Sequence, residues 1–161
     1  MNARNRFVIA AALAALSGAA LSGAPATAQS VLAADPDSVA GALRDLGWRA
    51  THAVDAEGDP MINSSIEGID YTIYFYGCEG GRNCRTLLFS AGFDLVDGTT
   101  LQTMNAWNSG RLVGAAYLDP ENDPFLQMFV TTIGGLNHEN FGDVVDWWRI
   151  GVRDFKEHIG F

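Results

Sequence analysis

Little in this chain is suited to turnover. It holds two cysteines and three histidines in 161 residues. The histidines, His52, His138 and His158, are scattered and share no metal-ligand spacing, so no zinc site is spelled out. The serines of "NSSIEG" and "FSAGF" lack the strained elbow of a hydrolase nucleophile, and no histidine is placed to serve as a base. No glycine-rich phosphate loop follows any strand-like run. Cations are scarce as well: ten Lys and Arg stand against nineteen Asp and Glu, a net charge of −9. Such a surface repels nucleic acid and anionic headgroups, which excludes both as partners. No catalytic, cofactor-binding or metal-binding residue is assigned, and the expectation is a non-enzymatic protein.

What is present begins with an export pattern. Arg4 and Arg6 precede an apolar run, Phe7 to Leu21; Pro25 ends it, and Ala26-Thr27-Ala28 offers small residues where a signal peptidase reads. Residues 1–28 are therefore expected to be a cleaved secretory signal, and the location periplasmic. The apolar run is shorter than the roughly 20 residues a spanning helix needs, and no long apolar stretch follows, so no membrane span is expected after cleavage. Without Arg4 and Arg6, eight cations face nineteen acids, and the charge moves to −11. Residues 29–34 read as a disordered lead. Residues 35–161 fit one domain.

Within that domain, Asp35-Pro36 reads as N-cap and first helical position for a helix carrying Val39, Leu43 and Leu46. "WRATHAVD" and "MINSSIEG" read as strands, and "IDYTIYFY" is the clearest one, with Ile69, Tyr71, Ile73 and Phe75 on one face. "CRTLLFSAGF" pairs beside it. Thr99 and Gln102 form a capping box for a short helix over "TLQTMNAWN". "RLVGAAYL" and "FLQMFVTT" are two further strands. A helix from about Asn137 to His158 carries Phe141, Val145, Trp148, Val152, Phe155 and Ile159 as one apolar stripe, and Gly151 within it marks a close approach to another backbone. The fold class is α+β: a mostly antiparallel sheet of five or six strands with three helices, in the order α-β-β-β(-β)-α-β-β-α.

Cys78 and Cys84 flank a hairpin loop. The exported location and the facing strand ends favour a structural disulfide. A redox pair would favour a C-x-x-C spacing at a helix N-terminus, and a metal would need further ligands. The turns "DAEGDP" (55–60) and "DPENDP" (119–124) share the form D-x-E-x-D-P. Calcium is the sharper reading and an acidic hairpin connector the plainer one, since the second turn lacks the glycine and glutamate of an EF-hand loop.

Both faces of the sheet carry large side chains. Tyr74 and Tyr76 lie opposite the Ile69 face, and Phe125 and Phe129 opposite Leu126, Met128 and Val130. Either the three helices divide between the two faces, or a second subunit or partner covers Tyr74, Tyr76, Phe125 and Phe129, the candidate binding face.

"GIDYTIYFYGCEGGRNCRTLLFSAGF", "NAWNSGRLVGAAYLDPENDPFLQMFV", a glycine pair and a Trp-bearing terminal helix together resemble the YbjN-domain family, small bacterial proteins labelled sensory transduction regulators. The resemblance spans about residues 36–161. Its most specific pieces are "YGC" and the motif Asn105, Trp107, Asn108 and Arg111, for which a structural role is expected. It implies a fold like that of type III secretion chaperones, frequent dimers and no catalytic residues. The leading expectation is a periplasmic chaperone-like or regulatory module that binds a polypeptide, either an unknown partner or its own copy. One alternative is a small-ligand or envelope-stress sensor with a pocket between the sheet and the last helix, lined by Trp147, Trp148 and Phe129. Another is a thiol-redox protein using Cys78 and Cys84.

Overall fold

Period-two alternation is carried into a six-stranded sheet. A computed structural model describes residues 30–161; the expected signal segment lies outside the described residues. In chain order the elements are α1 (Pro36–Asp45), β1 (Thr51–Val54), β2 (Pro60–Ile66), β3 (Ile69–Tyr76), β4 (Thr86–Gly92), α2 (Leu101–Gly110), β5 (Ala115–Leu118), β6 (Pro124–Thr131) and α3 (His138–Ile159). The sheet order is β1-β2-β3-β4-β6-β5, and every neighbouring pair is antiparallel. This is the α+β architecture expected, with three helices and six strands.

One face of the sheet is the core. Ile73 and Phe75 from β3, Leu87 and Phe89 from β4, and Leu126 from β6 are fully buried there. The stripe on α3 meets them: Trp148 lies 5.7 Å, ring to ring, from both Tyr71 and Phe89, and Phe155 packs edge-on to Phe93 and Trp107. Truncating a ring as buried as Trp148 to alanine costs about 3–5 kcal/mol. Helix α1 buries Val39 and Leu43 and packs against α3 and β2, while α2 buries Met104 and Trp107 and packs against β5 and α3. Among the described residues, all three helices therefore share one side of the sheet. The alternative in which they divide between the two faces is not what forms.

Helix α3 is well terminated. The Asn137 side chain accepts from the Asn140 N–H at 2.7 Å, and Gly160 closes the helix in the left-handed region at φ 73°. Glu139 in the first turn and Lys156 and His158 in the last complement the helix dipole.

Four expectations change. Residues 30–34 are not a disordered lead: Val31 and Ala33 are fully buried. Val31 exchanges main-chain hydrogen bonds with Leu136, and the Ala33 N–H donates to the buried Thr132 hydroxyl at 2.8 Å. The second helix is capped by Thr100, whose hydroxyl accepts from the Thr103 N–H at 3.2 Å, instead of by a box of Thr99 and Gln102. The strand expected over "RLVGAAYL" pairs only from Ala115, because Gly114 at φ 76° turns the preceding residues off the sheet. Gly151 does mark a close approach, but to a side chain: a Cβ there would stand 2.9 Å from Val113 Cγ1.

Candidate functional site

The side of the sheet that faces away from the helices is organised in cross-strand rows. Antiparallel register aligns Met61, Tyr74, Leu88 and Phe129 across β2, β3, β4 and β6. None of the four is fully buried, and Phe129 is 65% exposed. The next row is polar: Asn63, Thr72, Ser90 and Gln127. Thr72 Oγ1 donates to Asn63 Oδ1 at 3.0 Å, and Gln127 Nε2 donates to Ser90 Oγ and to the Tyr117 hydroxyl at 3.2 and 3.3 Å. Beyond it, Phe125 stacks on Tyr117 with ring centroids 5.2 Å apart. Tyr76, opposite Thr86, is exposed at the other side of the aromatic row.

The four residues expected on this face, Tyr74, Tyr76, Phe125 and Phe129, are thus on one side of the sheet. Phe129 shares a row with Tyr74, Phe125 sits beyond the polar row, and Tyr76 stands apart from both. Met61, Leu88 and Tyr117 complete the surface and are not among the residues expected there. The signal for Leu88 was its place between the inward-facing Leu87 and Phe89; Tyr117 had no comparable cue in the short run "AAYL". Tyr117 has its pKa raised, chiefly by partial burial and further by the negative charge of Tyr74, Asp119 and Tyr76 when ionised. The face thus gathers aromatic hydroxyls over an apolar row, a pattern enriched where surfaces bind other proteins.

A second feature adjoins this face where the sheet meets α3. Leu112, Val113, Met128, Phe129, Leu136, Val144 and Trp147 line a groove of about 540 Å³. Trp147 is 48% exposed and Leu112 wholly so. Of the three residues expected to line a pocket, Trp147 and Phe129 do. Trp148 is fully buried on the core side of α3 and does not.

The disulfide lies elsewhere. Cys78 and Cys84 are joined, and Cys84 is 3% exposed. The bridged loop rests on the first acidic turn: a Cβ on Gly81 would meet the Gly58 carbonyl oxygen at 3.0 Å. The two acidic turns prove to be the same device. Asp55 Oδ1 accepts from the N–H groups of Glu57 and Asp59 at 3.0 and 2.8 Å, and Asp119 Oδ1 accepts from those of Glu121 and Asp123 at the same distances. Gly58 and Asn122 hold the left-handed position of each loop. The shared D-x-E-x-D-P form is explained by an aspartate that closes a hairpin on its own backbone. Among the described residues, no group of three or more His, Cys, Asp or Glu side chains is arranged to hold a metal ion.

The motif around the second helix shapes the scaffold. The Asn108 amide donates to the Ala116 carbonyl at 3.0 Å and accepts from its N–H at 2.8 Å, fastening α2 to β5. Trp107 is buried, with Nε1 donating to the Gly114 carbonyl at 3.3 Å. Arg111 lies 5.7 Å from the centre of the Trp107 ring and pairs with Asp154. Asn105 is exposed. In the core, Ser64 Oγ, Tyr71 Oη and Trp148 Nε1 are buried without a hydrogen-bond partner among the described residues.

Residues 35–161 match the family described as "Putative bacterial sensory transduction regulator". No curated protein matches the chain. Among the described residues, no helix is long and apolar enough to cross a membrane.

Proposed function

Because the chain belongs to the YbjN family, we propose that it is a non-enzymatic regulatory module that works in the periplasm by binding a polypeptide through the helix-free face of its sheet. The observation that carries this reading is the row Met61, Tyr74, Leu88 and Phe129, an apolar stripe across four strands with all three helices packed on the other side. One-sided sheets normally present polar residues to water, so an aromatic row there is suited to a partner. Tyr74, Tyr76, Phe125 and Phe129 are the contact residues, and the occupant is another polypeptide or a second copy. The bridge between Cys78 and the buried Cys84 fits an exported scaffold in which those residues hold a hairpin and do not exchange electrons.

The test is retention of polypeptides from periplasmic extract, together with sedimentation velocity, for the wild type and for Tyr74→Asp with Phe129→Asp. Both positions lie outside the core, so the double variant is expected to stay folded while losing the bound polypeptide or the dimer. Undiminished binding by the folded double variant would remove the sheet face as the contact surface. A second reading is supported by the groove that Trp147 and Phe129 share. If it takes a small apolar ligand, Trp147 emission will shift on titration with metabolites while the Tyr74 variants bind unchanged.

A further inference from the structure

Strand β6 is paired along almost its whole length on one side and for only half on the other. β4 covers Phe125 to Thr131, whereas β5 covers only Pro124 to Gln127. The direction of the main-chain groups follows from parity. The Pro124 carbonyl accepts from Phe93 and the Thr132 N–H donates to Arg85, both toward β4. Even-numbered residues of β6 therefore point their N–H and C=O toward β4, and odd-numbered ones point away. For Phe125 and Gln127 the other side is β5. Among the described residues no strand stands there for Phe129 and Thr131, and both residues are exposed. The chain that would have continued β5 is held elsewhere: Gly114 turns it aside, and Val113 sits against Gly151 of α3. The space it leaves is the groove lined by Leu112, Val113, Val144 and Trp147. At about 540 Å³ it falls within the roughly 300–1,000 Å³ that ligand clefts span. Natural edge strands are commonly blunted by lysine, proline or a bulge; Met128–Thr131 carries no Lys or Pro and keeps regular register with β4.

We propose that this half-edge of β6 receives an extended segment of another protein by strand addition, and that the segment alternates apolar residues with lysine or arginine. The proposal rests on the reading of the domain as a polypeptide-binding module and names a second contact of that module. Main-chain pairing to Phe129 and Thr131 supplies affinity, and alternate side chains enter the groove beside Trp147. Charge selects the occupant. Residues 30–161 carry eight Lys and Arg against nineteen Asp and Glu. Asp143, one helical turn before Trp147, is exposed and enters no ion pair among the described residues. Arg111, next in sequence to Leu112 of the groove, pairs with Asp154 at 3.6 Å, an acid that Arg153 also engages at 2.8 Å. A second copy would bring the same excess of acid to the same place, whereas a cationic strand is drawn to it.

The experiment uses amide-resolved NMR of the purified protein with three synthetic octapeptides: alternating Lys-Val, alternating Glu-Val, and Lys-Val with alternate backbone nitrogens methylated. The Lys-Val peptide is expected to slow hydrogen exchange at the Phe129 and Thr131 amides. The methylated peptide, lacking donors, and the Glu-Val peptide are each expected to bind about tenfold more weakly or worse. Trp147→Ala should weaken Lys-Val binding, while Thr51→Ala, exposed on β1 at the opposite edge of the sheet, should leave it unchanged. Amide shift changes centred on Phe129, Thr131 and Trp147 rather than on Tyr74 and Leu88 separate failure of this inference from failure of the sheet-face reading. Equal binding of the Glu-Val peptide, unchanged exchange at Phe129 and Thr131, or protection that appears with protein concentration alone would each overturn the proposal, the last in favour of a second copy.

Discussion

Alanine at Gly151 sets two effects of known sign against each other. In the interior of a helix the substitution gains about 1 kcal/mol from backbone propensity. At this position the new Cβ would lie 2.9 Å from Val113 Cγ1 and 3.7 Å from Leu126 Cδ2. Crowding a packed site costs about 1–3 kcal/mol. Gly151→Ala alone should therefore fall between neutral and about 2 kcal/mol destabilising, the crowding cost less the propensity gain. Val113→Ala removes the obstructing methyl, and Leu126 Cδ2 remains at an ordinary contact distance. In that background Gly151→Ala should stabilise the protein by about 1 kcal/mol. The coupling between the two positions is then about 1–3 kcal/mol, well above what independent sites show. Urea unfolding of the four proteins, followed by tryptophan fluorescence and circular dichroism at constant m, measures it. If Gly151→Ala stabilises the wild type by the full propensity term, or the cycle shows no coupling, Val113 is not seated against α3 and the account of the vacated sheet edge loses its support.

Other perturbations have definite expected outcomes. Replacing both Cys78 and Cys84 by serine opens a small loop and should lower stability by about 2–2.5 kcal/mol in the chain-entropy model, with a further loss from the buried Cys84 position; a loss near zero by urea unfolding would show that the bridge constrains nothing. Tyr71 has its pKa raised by burial. Its contribution is complete below the unfolded-state pKa of about 10 and is lost as pH rises toward the folded value, with a slope approaching about 1.4 kcal/mol per pH unit. Tyr71→Phe should remove that component of the alkaline decline and, by deleting a buried hydroxyl without a protein partner, leave stability near pH 7 unchanged or slightly higher. Asp119→Ala frees two backbone N–H groups and should cost about 1–3 kcal/mol, while calcium titration calorimetry of the wild type should show only dilution heat.

Local pattern carried the elements whose partners were close in sequence or strongly periodic. Ile69–Tyr76 alternates without interruption and forms β3 over those residues, and the stripe from Phe141 to Phe155 forms the buried side of α3. Where long-range contacts decide, the pattern misleads. Residues 30–34 look like a polar-edged lead, yet the Ala33 N–H is bound by Thr132, 99 residues away. "RLVGAAYL" reads as one strand because nothing in it reveals that Val113 is drawn to Gly151. Thr99 and Thr100 are equally good caps on paper, and only the entry angle of the chain selects Thr100. The candidate face was legible at Tyr74 and Phe129 because both break the expected polar side of a one-sided sheet. The groove beside it was only half legible: Trp147 and Trp148 are adjacent in sequence, and their different fates follow from the phase of the helix, in which Trp148 falls on the Phe141–Phe155 stripe and Trp147 does not.

The central claim is that the helix-free sheet face is where this protein meets another polypeptide. Site-specific photo-cross-linking in living cells, from a benzophenone side chain placed at Tyr74 and compared with one at Glu157, exposed on α3, tests it most directly. The account predicts discrete covalent adducts from position 74, lost when Leu88 is changed to Asp, and none from position 157. Adducts absent at 74, or formed equally from both positions, would contradict it.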